Sequence, residues 1–287
     1  MDKITIKTYG KINLYLEVIK KREDGYHELQ MVMQSIGLYD KVSVQDREKD
    51  EILLYTNSSY IPTDEGNIAV QAAKLMKEAF QIDKGVEITI DKKIPVAAGL
   101  AGGSANAAGV LKGLNELWNL NLSEGKLRDL GLRLGADVPF SVMEGAAVAE
   151  GIGERLTPIP GLKNTWLVLC KPGISVSTPE VYKELDVSAL ERKPLGKEFL
   201  TAIENRDLKS ISKNMYNALE SVTLKKHGVI EDIKKKMMQF NAIGTMMTGS
   251  GPAVFGIFKD QDKAKNAARN LKKYHHQTYV VNTYNKE

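Results

Sequence analysis

Pro95-Val96-Ala97-Ala98-Gly99-Leu100-Ala101-Gly102-Gly103-Ser104-Ala105-Asn106-Ala107-Ala108 is the stretch around which this chain is organised. Before it, Val86-Glu87-Ile88-Thr89-Ile90 alternates apolar and polar, the period of a half-buried strand. After it, Ala107, Val110, Leu111, Leu114, Leu117 and Trp118 recur at helical spacing. Gly99, Gly102 and Gly103 allow sharp turns, positive φ and close approach of a ligand to the backbone. Ser104 is placed to cap the helix that follows. A glycine-rich loop feeding a helix N-terminus presents amide N–H groups and the positive end of the helix dipole, which favour an anion such as phosphate. By itself the pattern fits either a phosphate cradle or a helix–strand junction whose small residues permit close packing. It is not a Walker A loop, because no lysine follows Gly103, and it lacks the G-x-G-x-x-G dinucleotide spacing.

Bulk properties narrow the choice. The 287 residues are 43% hydrophobic and 26% charged, with a formal net charge of +4, enough chain for one large or two modest domains. The near balance of charge argues against an extended nucleic-acid surface, and no nucleic-acid partner is expected. No apolar run approaches the roughly 20 residues of a membrane span, and the N-terminus has no signal-peptide core. The single cysteine, Cys170, fits a reducing cytoplasm and lies in the apolar run Trp166-Leu167-Val168-Leu169, where a buried inert thiol is expected.

The remaining elements read in order. Ile4–Thr8 is a first strand, and residues 10–18 a second, with Lys11 and Asn13 on the face opposite Ile12, Leu14, Leu16 and Val18. Strands follow at Val42–Val44 and Ile52–Leu54, a helix at Asn67–Phe80, and a short helix at Lys126–Leu134 stopped by Gly135. Turn residues at 146–160 mark a domain boundary, giving domains at 1–150 and 151–287. Beyond it come a strand at Trp166–Cys170, a helix start at Thr178-Pro179-Glu180, and helices at Leu208–Leu219, Val229–Phe240 and Lys263–Lys273. Strands are expected at Ile243–Met247, Ala253–Phe258 and Gln277–Thr283.

Five blocks in one order carry a resemblance: Gly10-Lys11-Ile12-Asn13-Leu14, Asp24-Gly25-Tyr26-His27, Pro95–Ala108, Gly135-Ala136-Asp137-Val138-Pro139, and Thr248-Gly249-Ser250-Gly251-Pro252. The chain resembles the GHMP kinases, whose members include galactokinase, homoserine kinase and mevalonate kinase. The resemblance implies an α+β two-domain fold. Its N-terminal domain would be like ribosomal protein S5 domain 2, its C-terminal domain ferredoxin-like, with the active site in the cleft between them. It implies ATP as phosphoryl donor with Mg²⁺, a small-molecule acceptor and a monomer or weak homodimer. The D-G-Y-H block points to the branch whose acceptor bears a cytidine diphosphate group.

On that resemblance Lys11 and Asp137 are catalytic, and Pro95–Ala105 cradle the triphosphate with Ser104 facing the metal. Asn67 and Lys92 lie near the adenine, and Asn13 near the acceptor's phosphate end. Tyr26 and Tyr182 stack on the cytosine, His27 bonds its edge, and Thr178 belongs to the same substrate site. Read without the resemblance, Asp137 is a turn-forming aspartate, with Pro139 disfavouring helix at Val138. Lys11 and Lys92 are solvated lysines, and Asn67 a helix cap. Two positions depart from the family pattern: Ala101 replaces a usual glycine, and Ala105-Asn106 stands where Ser-Asp is commoner. The competing functions are another small-molecule kinase of this superfamily, such as a homoserine or mevalonate type, and a non-catalytic ligand-binding module.

Overall fold

The computed structural model describes residues 3–191 and 193–286. The chain forms two compact units, each assembled from separate stretches: Met1–Gly10, Leu38–Val96 and Ala101–Glu144 in the first, Lys11–Gly37, Ala97–Leu100 and Gly145–Glu287 in the second. Two long strands, β1 (Lys3–Lys21) and β2 (His27–Arg47), contribute to both. β1 runs unbroken through Thr8–Gly10, where the sequence pattern suggests two strands.

In the first unit the strand order is β3-β4-β2-β1, with β3 (Ile52–Thr56) and β4 (Gly85–Asp91) parallel and joined by helix α1 (Ile68–Phe80). α1 starts where Asn67 takes an extended backbone and its Oδ1 accepts from the Ala69 amide. Helix α2 (Gly102–Leu117) follows the glycine-rich loop, and α3 (Glu124–Leu132) is capped by Ser123. Val42, Val44, Val86, Ile88 and Ile90 from the sheet meet Ala72 and Met76 of α1 and Val110, Leu111 and Leu114 of α2 in one apolar core. Gly109 and Gly113, four residues apart, bring α2 against the sheet. A Cβ at Gly109 would lie 2.5 Å from Thr8 Cγ2, and one at Gly113 2.8 Å from Val44 Cγ2.

A short helix α4 (Val138–Met143) closes this unit. The expectation of a loop at Val138 is corrected: Pro139 sits in the first turn, where its missing N–H costs nothing, so the helix starts one residue earlier and Asp137 occupies the N-cap.

The second unit carries β5 (Ala146–Gly151), antiparallel to β2 from Leu29 to Gln34, and β6 (Arg155–Pro158) beside it. Then come β7 (Trp166–Lys171), α5 (Thr178–Glu184), α6 (Lys197–Glu204), α7 (Leu208–Asn214), β8 (Tyr216–Asn217), α8 (Glu220–Lys226) and α9 (Gly228–Gln239). The chain ends with β9 (Gly244–Met247), β10 (Val254–Phe258), α10 (Gln261–Lys272) and β11 (Gln277–Asn282). An all-antiparallel sheet in the order β11-β7-β10-β9 is backed by α9 and α10, a ferredoxin-like arrangement. Cys170 is fully buried in β7, and burial pushes its thiol up to about 11, as expected of an inert core cysteine.

The single helix expected over Leu208–Leu219 is not formed. It stops at Asn214, because Tyr216 and Asn217 pair in parallel with Tyr15 and Leu16 of β1, and this long-range ladder overrides the local helical pattern.

Candidate active site

In the second unit the candidate residues are built on β1. Residues 10–18 are all buried, so the polar face of the strand is covered as fully as the apolar one. Lys11 is 5% exposed and Asn13 0%. This excludes the solvated-lysine reading. The Lys11 ammonium donates to Asn13 Oδ1 at 2.8 Å, since a buried cation must find acceptors. The Asn13 amide donates to Thr248 Oγ1 at 3.1 Å, and that hydroxyl donates to the Gly99 carbonyl at 3.3 Å. The Lys11 amide donates to the Leu100 carbonyl. The lysine strand, the Ala97–Leu100 arm of the glycine-rich loop and the Thr248-Gly249-Ser250-Gly251 turn are thus brought together.

Two glycines make the approach possible. Gly99 has φ +73°, and a Cβ there would fall 2.1 Å from the Thr248 carbonyl oxygen. Gly249 has φ +55°, with the place of a Cβ 3.2 Å from the Gly99 oxygen and 3.5 Å from Lys11 Nζ.

The same unit holds the aromatic residues. Asp24 and Gly25 turn the chain between β1 and β2. Asp24 accepts from the Tyr26 amide and pairs with Arg22. Tyr26 is 60% exposed, and its neighbour His27 is buried. The His27 imidazole stacks on Tyr182 of α5 at 5.1 Å between ring centres. Burial, and secondarily the charge of Lys21, hold His27 below the usual histidine range, so it is neutral at pH 7. Thr178, the first residue of α5 rather than its cap, shares a 2.6 Å hydrogen bond with Ser250.

In the first unit, α2 begins without a capping side chain. Ala101 occupies the N-cap with φ +54°, and Ser104 is the third helical residue. The Ser104 capping expectation is therefore corrected: the loop turns one residue earlier than its glycines suggest, and alanines 97 and 101 adopt positive φ together with Gly99. Gly102 and Gly103 lie inside the helix. Asp137 is half-buried at the N-cap of α4, and its side chain makes no capping bond. Its backbone is that of a turn, closed by the Val138 amide donating to the Gly135 carbonyl at 3.1 Å.

Lys92 is not a solvated lysine. Its ammonium pairs with buried Asp40 at 2.7 Å and donates to the Ile94 carbonyl, and it lies under Gly102, where a Cβ would be 2.9 Å from Nζ. Asp40 also accepts from the Lys93 and Ile94 amides and from Asn106 Nδ2. Burial lowers the Lys92 pKa, with Asp40 opposing the shift. The sequence reading missed Asp40, although its parity with Val42 and Val44 placed a carboxylate on the core face, where it must be paired. Asn106, where an aspartate is commoner in the family, is thus a donor to that carboxylate.

Among the described residues no cluster of three or more His, Cys, Asp or Glu side chains could hold a metal ion, and no helix is long and apolar enough to cross a membrane.

The model of the GHMP kinase N-terminal domain matches residues 67–145 and that of the GHMP kinase C-terminal region residues 199–277. The chain belongs to the GHMP kinase family. It is 52% identical over 286 residues to the 4-diphosphocytidyl-2-C-methyl-D-erythritol kinase of Alkaliphilus metalliredigens, covering 100% of this chain and 98% of that protein. A crystal structure of 4-(cytidine 5'-diphospho)-2C-methyl-D-erythritol kinase superposes with a TM-score of 0.85 at 31% identity, covering 99% of this chain and 100% of the other. The homoserine kinase of Cytophaga hutchinsonii superposes at 0.78 with 18% identity, covering 98% and 96%, and shares the fold.

Proposed function

We infer that the chain transfers the terminal phosphoryl group of ATP to the 2-hydroxyl of 4-diphosphocytidyl-2-C-methyl-D-erythritol, a step of the non-mevalonate route to isoprenoid precursors. The observation that carries this reading is the 52% identity over the full length to a kinase of that name.

ATP brings with it Mg²⁺, which neutralises phosphate oxygens and leaves positioning as the protein's main task. The N-terminus of α2 suits that ligand: a 16-residue helix starts at an alanine with no capping side chain, leaving the amides of Gly102–Ser104 and the helix dipole for an anion. Pro95–Ala105 cradle the phosphates, and the Ser104 hydroxyl is the protein oxygen offered to the metal. Asn67 and Lys92 lie on the nucleotide side. Lys92 acts there by shaping the loop, since two of its donors are already used by Asp40 and Ile94.

Asp137 takes the proton of the acceptor hydroxyl as general base. Lys11 supplies positive charge to the developing alkoxide, and Asn13 holds the lysine in place. A neutral His27 offers one donor and one acceptor to the cytosine edge, with its plane held by Tyr182. The exposed Tyr26 ring covers a face of the base, and Thr178 completes the substrate side.

The test is ADP release with ATP and Mg²⁺, offering the cytidyl acceptor, homoserine and mevalonate in parallel, with Asp137→Asn as control. Turnover is expected only with the cytidyl compound and only in the wild type. Turnover with homoserine or mevalonate instead would overturn the substrate reading, and full activity of Asp137→Asn would overturn the base.

A further inference from the structure

We propose that Asn217 is a positioning residue for phosphoryl transfer. It acts by holding the Thr248-Gly249 turn against Lys11, and the proposal rests on the reading of Lys11 given above.

Asn217 is 4% exposed, and both the nitrogen and the oxygen of its side-chain amide bond to the backbone. Nδ2 donates to the Met247 carbonyl at 2.8 Å and to the Gly249 carbonyl at 2.9 Å, while Oδ1 accepts from the Leu219 amide at 3.0 Å. Two further residues grip the same turn. Glu220 accepts from the Met247 amide at 2.8 Å, and Thr223 donates to the Ser250 carbonyl at 3.2 Å. Residues 217, 220 and 223 are spaced three apart, so one side of this segment addresses the turn from Met247 to Ser250. Glu220 is itself held by Lys234 at 2.7 Å.

The other side of the turn faces the chemistry. Thr248 Oγ1 joins the Asn13 amide to the Gly99 carbonyl, and Gly249 lies where a Cβ would be 3.5 Å from Lys11 Nζ. Asn217 is also anchored directly to the lysine strand, because β8 pairs Asn217 with Leu16 and the Ala218 amide donates to the Leu16 carbonyl. One asparagine therefore ties the lysine's own strand to the turn that walls in the lysine. An asparagine suits this position because it presents two N–H donors to two carbonyls from a short, stiff side chain. Aspartate has the same shape and keeps the acceptor, but would set a carboxylate against both carbonyl oxygens.

The test is a kinetic cycle of Asn217→Asp, Lys11→Ala and the double variant, followed by single-turnover phosphoryl transfer, with a urea titration to establish folding. The expected result for Asn217→Asp is a kcat lower by about 10- to 100-fold, the scale of a misplacement near 1 Å, with KM for the cytidyl acceptor changed little because His27 and Tyr182 are untouched. In the Lys11→Ala background the same substitution is expected to cost less than about 3-fold. Equal losses in both backgrounds, or a folded Asn217→Asp enzyme with wild-type kcat, would overturn the proposal. Full activity of Lys11→Ala alone would instead refute the reading of Lys11. Thr223→Val is the second probe, needed if Asn217→Asp does not fold. It removes one clamp hydroxyl at nearly constant volume and is expected to lower kcat by about 3- to 10-fold, again only when Lys11 is present. An unchanged kcat in Thr223→Val, or a loss that persists without Lys11, would count against the clamp.

Discussion

Replacing Gly99 by alanine should damage this protein in a way that can be resolved into two parts. The residue sits at φ +73°, a conformation that costs a non-glycine residue roughly 1–2 kcal/mol. The new Cβ would also fall 2.1 Å from the Thr248 carbonyl oxygen, a backbone atom that no rotamer change can move aside. Thr248 would have to retreat by about 1 Å, an overpacking cost of roughly 1–3 kcal/mol. The sum, about 2–5 kcal/mol, is a large share of the 5–15 kcal/mol typical of a folded protein but leaves it folded. Gly25→Ala supplies the comparison, because Gly25 has φ +87° with nothing within 4 Å of its Cβ position and so carries the backbone term alone. The retreat of Thr248 loosens its bonds to the Asn13 amide and the Gly99 carbonyl, and kcat should fall by about 10- to 100-fold, the scale of a misplacement near 1 Å. Urea midpoints at matched m-values and steady-state kinetics measure both effects. If Gly99→Ala lost no more stability than Gly25→Ala and kept its kcat, the close approach would not be the reason for a glycine here.

Three other outcomes are expected. Ala101→Gly relieves an alanine held at φ +54°, partly offset by greater freedom in the unfolded chain, and should raise stability by about 0.5–1 kcal/mol in chemical denaturation. Asp40→Asn strands the Lys92 ammonium in a buried site and should cost about 3–5 kcal/mol. Burial already lowers the Lys92 pKa, so above the folded-state value the unfolded chain binds the extra proton. The variant should therefore recover stability as pH rises towards 10.5, and unfolding at pH 7 and pH 9 reads this directly. His27 is depressed below 6.5, so the neutral form favours folding. Its contribution is complete above pH 6.5 and is lost as pH falls through the lower folded-state value. Acceptor KM should rise over the same range, and an His27→Gln enzyme should show neither trend.

Much of the candidate site was legible as letters, but the state of each residue was not. Lys11 and Asn13 share a strand face by parity alone, yet parity says nothing of whether that face meets water, and here it does not. Asp40 was legible in principle, from its register with Val42 and Val44. Asn217 was not, because Leu208–Leu219 carries a helical pattern that the pairing with β1 cuts short. The glycine-rich loop was located correctly, but its positive φ angles fall on Ala97, Gly99 and Ala101 rather than on Gly102 and Gly103.

The sequence by itself determined what depends on neighbours along the chain. That includes the alternation of strands, the cap at Asn67, the loop feeding α2, and the motif order that marks a GHMP kinase. Tertiary structure decided what depends on residues far apart in the chain. Thr248 lies 235 residues from the Asn13 amide it accepts from, and Tyr182 is folded against His27. Asp40 collects donors from 52 to 66 residues away. Burial and hydrogen-bond satisfaction are properties of the packed chain, and no local pattern specifies which partner a buried polar group will find.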